Sequence, residues 1–134
     1  MSDMKPQSFK ITLKDDKDYG MLFDINSIDD IQEHFNVPID ELPSLFAGDK
    51  MTVFKNLRSI LTILINEDRD DQSDKTGEKL PHFDERFIGR QMPAEQLENI
   101  MTSIYKAFSG AMPEKEDKDT ENPPIPGEDQ SNLP

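Results

Sequence analysis

Apolar and polar residues alternate with period two over Phe9-Lys10-Ile11-Thr12-Leu13-Lys14, and this predicts a half-buried strand. The turn-type cluster Asp15-Asp16-Lys17-Asp18 follows it. Gly20-Met21-Leu22-Phe23-Asp24-Ile25 then places Met21, Phe23 and Ile25 on one face, so the simplest structure is a β-hairpin whose greasy side needs helices to cover it. Asn26 or Ser27 is the expected N-cap of the first helix, with Ile28, Ile31 and Phe35 on its buried face and Val37-Pro38 as its stop. A short helical turn over Ile39 to Phe46 should lead to Gly48.

The strongest periodic signal comes next. Val53, Phe54, Leu57, Ile60, Leu61, Leu64 and Ile65 follow the spacing of one helix face, and Asp49 is its expected cap. From Asn66 to Lys79 the chain turns acidic and small, which reads as a mobile, disordered loop over 66–79. Phe83, Phe87 and Ile88 predict a short helix ending near Gly89. Pro93 should open a second long helix at its first position, with Leu97, Ile100, Met101, Ile104, Tyr105 and Phe108 repeating at helical spacing and Gly110 as its end.

Past Met112 the pattern disappears. Residues 113–134 hold five prolines, seven acids and two lysines, and only Ile125 and Leu133 are aliphatic. Such a stretch is expected to stay disordered, because it buries too little apolar surface to offset the entropy of ordering. Deleting it should leave the melting temperature unchanged. The expected architecture is mainly α: one small helical domain over 1–112, with an N-terminal β-hairpin, followed by a disordered acidic C-terminal tail.

Length and charge narrow the function. A chain of 134 residues has room for one core. Its net charge of −13, from 28 acids and 15 bases, disfavours nucleic acid and anionic membranes as direct partners. The apolar run from Ile60 to Ile65 is far too short to span a bilayer, and the N-terminus lacks the pattern of a signal peptide, so a cytosolic protein is expected. With no cysteine there is neither a disulfide framework nor a thiolate site.

Candidate chemistry is sparse. His34 and His82 do not stand at metal-ligand spacing, and each reads as a surface or loop residue. Asp68, Asp70 and Gln72 alternate like the first ligands of a calcium loop, yet Ser73 replaces the needed glycine and Lys79 the closing glutamate, so a solvated charged segment is the better reading. No phosphate-cradling or nucleophile-elbow motif occurs, and the pairs Asp29-Asp30 and Asp70-Asp71 fit capping or solvation. The expectation is a binding protein and not an enzyme, with no catalytic residues, metal or cofactor. Its partner-binding residues stay open; Met92, Met101 and Met112 are singled out because the last helix is expected to leave part of its apolar face exposed.

Leu22-Phe23-Asp24-Ile25-Asn26-Ser27-Ile28 running into Glu33-His34-Phe35, then Leu57 to Glu67, Phe87-Ile88-Gly89 and the Met92 to Ala107 helix, together resemble the tail assembly chaperones of long-tailed (siphovirus-like) bacteriophages and prophages of Gram-positive bacteria. The resemblance implies a factor in the cytoplasm of the bacterial host, absent from the mature virion. It implies that this factor binds and solubilises the tape-measure protein and helps recruit the tail-tube protein, with a longer frameshifted form often made in such families. Weak homo-oligomerisation is compatible with it. The alternatives are an acidic DNA-mimic inhibitor of a host DNA-binding protein and a generic adaptor.

Overall fold

The computed structural model describes residues 7–111. The expectations for Met112, for the tail over 113–134 and for the first six residues lie outside that span. Two strands, β1 (Gln7–Thr12) and β2 (Asp18–Phe23), pair antiparallel with Phe9 opposite Met21 and Ile11 opposite Tyr19. Helices α1 (Ile25–Phe35), α2 (Lys50–Thr76), α3 (Glu85–Gln91) and α4 (Leu97–Ala111) follow, with a 3-10 helix over Ile39–Phe46 and a 3-10 turn over Ala94–Gln96. The protein is thus mainly helical with an N-terminal hairpin, as the pattern predicts.

The hairpin sits two residues earlier than the alternation suggests, and the reason is a cap. Asp24, not Asn26 or Ser27, starts α1: its carboxylate accepts from the Ser27 amide at 3.0 Å while the Ser27 hydroxyl accepts from the Asp24 amide at 2.9 Å. The chain therefore turns helical at Ile25. That residue leaves the face of Met21 and Phe23, which are buried, and is 68% exposed. At the hairpin tip, Asp16 takes the left-handed conformation and Asp15 accepts from the Tyr19 hydroxyl at 2.6 Å. The Lys14 amide donates to the Gln91 carbonyl at 2.8 Å and ties this tip to the end of α3.

Helix α2 is the spine. Asp49 caps it as expected, and Leu57, Ile60, Leu61, Leu64 and Ile65 are fully buried against β2, α1, α3 and the first 3-10 helix. At 27 residues it runs about 40 Å. Helix α4 contributes Ile100, Ile104 and Ala107 to the same core and packs on both strands, while α2 packs on β2 and also meets α4. Two boundaries at α4 differ from expectation. Pro93 is extended and precedes the 3-10 turn that feeds Leu97, and α4 passes through Gly110 to Ala111.

The largest correction concerns the acidic loop expected over 66–79. It is helix as far as Thr76, and Gly77, left-handed at φ 79°, closes it with its amide donating to the Ser73 carbonyl. Nothing between Asn66 and Thr76 breaks a helix, and Lys75 pairs with Asp71 one turn earlier at 3.0 Å. The decisive stabilisation is tertiary: residues 78–84 fold back along the last turns. Asn66 exchanges two hydrogen bonds with the Phe83 backbone, at 2.9 and 2.8 Å. The Ser73 hydroxyl accepts from the Leu80 amide at 2.9 Å. Arg69 lies over the Phe83 ring at 4.1 Å, and that ring stacks on Phe87 and meets Tyr19 edge-on.

Candidate functional site

Of the openings beside α2, two differ most clearly in chemistry. Helical spacing brings Glu67, Asp70, Asp71 and Asp74 into one stripe near the C-terminal end of α2. With Asp24 and Glu78 they line a cleft whose other wall is the returning segment from Glu78 to His82. At its floor Glu67 is only 9% exposed and accepts from the Asn26 side chain at 3.0 Å. Burial pushes its carboxyl up to about 7, helped by the neighbouring Asp24 and Asp70 carboxylates and opposed by the Asn26 hydrogen bond.

The two histidines are brought towards each other. His34 and His82 both border the shallow continuation of this cleft, together with Asp30 and Glu33. His82 Nε2 lies 2.9 Å from Asp70 Oδ1, while the His34 ring meets Phe35 edge-on. Among the described residues no group of three or more His, Asp or Glu side chains is arranged to hold a metal ion. The alternation of Asp68, Asp70 and Gln72 is spread around the helix. Asp70 faces His82, whereas Asp68 lies against Gly20 of β2, where burial and Asp71 raise its pKa.

The second opening has a volume of about 350 Å³ and lies between the N-terminal half of α2 and the connection from α3 to α4. Met51, Phe54, Lys55 and Arg58 form one stripe of α2 along it, and Met92 and Leu97 complete its apolar floor. Met51 is 67% exposed. Arg86 and Arg90 stand on the α3 side. Helix α3 can approach this closely because residue 89 is glycine: a Cβ there would come within 2.9 Å of Arg58 Cδ. Four of the ten lining residues are cationic and none is acidic.

Of the methionines singled out in the sequence, Met92 lines this opening and Met101 is half-buried on α4, where Tyr105 is the exposed apolar residue at 44%. Met51, the most exposed of the described methionines, was missed. It precedes the regular core spacing of α2, and only its offset of three, four and seven residues from Phe54, Lys55 and Arg58 hints at a shared stripe. Among the described residues no helix is long and apolar enough to cross a membrane. Comparison with protein-family models, with curated proteins and with solved structures finds no match.

Proposed function

We propose that this chain is a tail assembly chaperone of the long-tailed phage type: a binding protein, not an enzyme, acting in the bacterial cytoplasm without entering the virion. It holds the tape-measure protein in solution while tail-tube subunits are recruited around it. The observation that carries this reading is the open apolar groove of Met51, Phe54, Met92 and Leu97 on a small helical domain. A tape-measure chain presents long apolar helical stripes, and a helix laid in such a groove covers them. The chain's net charge of −13 then keeps the complex dispersed. Self-association is weak in this scheme, because the groove is kept for the client.

Co-expression tests it. The long helix-rich protein encoded downstream should move from the pellet to the supernatant and co-purify with this chain. An unchanged pellet would sink the proposal.

One observation favours the DNA-mimic reading more than the sequence did. Glu67, Asp70, Asp71 and Asp74 lie along a helix stripe and not in a loop, so their spacing is fixed. Capture of a host DNA-binding protein, released by competitor DNA, would favour that reading over the chaperone.

A further inference from the structure

We propose that the groove beside the start of α2 selects a partner helix whose apolar stripe is flanked by carboxylates, so that this acidic protein prefers an acidic client segment. The inference rests on the reading of this groove as the client site. Its floor is apolar, and four cations, Lys55, Arg58, Arg86 and Arg90, surround it. Among the described residues Lys55, Arg86 and Arg90 enter no ion pair. Arg58 Nε stands 3.5 Å from Glu85 Oε1 yet is buried without a hydrogen-bond partner. Acids outnumber bases 28 to 15 in the whole chain, so a lining with four cations, of which only Arg58 pairs with an acid, runs against the composition.

The shape argues for a helix. Met51, Phe54, Lys55 and Arg58 stand at i, i+3, i+4 and i+7 on α2, and a ridge of that spacing packs against a similar ridge on another helix. About 350 Å³ accommodates a few aliphatic anchors and leaves the flanks of the incoming helix at the height of the guanidinium groups. Carboxylates there gain charge-assisted, bidentate hydrogen bonds. A bare polyanion would leave Phe54, Met92 and Leu97 uncovered.

The test uses the full chain and two designed 18-residue amphipathic peptides sharing one Leu stripe, flanked by Glu in one and by Lys in the other. Fluorescence anisotropy should show the Glu peptide binding at least tenfold tighter at low salt, against the sign of the net charge, with the margin shrinking at 0.5 M salt. The double variant R86E/R90E changes two exposed side chains and should reverse the preference, whereas K10E on the hairpin should leave it intact. Equal or tighter binding of the Lys peptide overturns the inference. So does a preference that survives R86E/R90E, or displacement of the Glu peptide by heparin with no dependence on its Leu stripe. If R86E/R90E solubilises the downstream protein as well as the parent chain does, the chaperone reading stands and the selective rim does not. If co-expression fails while the peptide preference is as expected, the selective rim stands and the chaperone reading does not.

Discussion

Asn66 and Phe83 bind each other in both directions: the Asn66 amide nitrogen donates to the Phe83 carbonyl, and its amide oxygen accepts from the Phe83 N–H. An asparagine side chain thus imitates a neighbouring strand and fastens the segment before α3 to the far end of α2. Replacing Asn66 with Ala leaves both Phe83 backbone groups without that partner. A loss of about 1–3 kcal/mol is expected in urea denaturation, with faster hydrogen exchange at the Phe83 amide than at core amides of α2. An unchanged midpoint together with unchanged exchange would show that the segment is held by the aromatic contacts alone.

Gly20 has no room for a side chain, because a Cβ there would run into the Asp68 carboxylate of α2. Gly20→Ala should destabilise the domain by about 1–2 kcal/mol, as modest overpacking does. In an Asp68→Ala background the same change should cost much less, and a double-mutant cycle reads the coupling. Additive losses would mean that Asp68 already swings aside.

Stability should fall as pH rises through neutrality on account of Glu67. Its folded-state pKa is raised to about 7 from an ordinary value of 4.5, chiefly by burial. Between those values the folded chain holds a proton that the unfolded chain has lost, so the protonated group favours folding, and that advantage is lost as pH rises through 7. Glu67→Gln should keep the acceptor for Asn26, stabilise the fold at pH 8 by on the order of 1 kcal/mol, and flatten the profile between pH 5 and 8. Water in the open cleft beside Glu67 screens its charge and keeps this gain below the full shift. His34 and His82 are present in both proteins, so the difference between the two profiles isolates Glu67. Parallel profiles would refute the assignment.

Leu61 and Ile104 are both fully buried. Leu61→Asp or Ile104→Asp should abolish the cooperative thermal transition followed by circular dichroism, since an unpaired carboxylate in this core has no partner. Leu61→Met, close in volume, should cost less than about 1.5 kcal/mol. A Leu61→Asp variant that melts normally would contradict the packing of α2 described above.

Helical spacing made the core of α2 legible from Val53 to Ile65, and on α4 it picked out the buried Ile100 and Ile104, although Tyr105 at the same spacing is 44% exposed. The 3-10 helix from Ile39 to Phe46 and the Asp49 cap also fell where local chemistry put them. The continuation of α2 beyond Asn66 was not legible, because its second half is held by tertiary contacts: Phe83 and Leu80 on the returning segment, and the hairpin. Acid-rich composition fits a loop and a solvated helix equally well. The start of α1 was misplaced because Asp24 reads as a strand residue until the hydroxyl of Ser27, three positions on, completes the cap. Neither opening could be seen in the chain. The groove needs the distant α3–α4 connection as its second wall, and the acidic cleft needs the segment after Gly77 to fold back along α2.

The two stripes on α2 begin sixteen residues apart, at Met51 and at Glu67, which in an ideal helix is about 24 Å along the axis and about 160° around it. Cations gather around the first and carboxylates along the second, in the same sense as the helix's own dipole. Along α2, then, the side chains of the two stripes add to the backbone dipole and do not cancel it. A charged partner therefore meets opposite signs at the two stripes, and salt weakens that contrast.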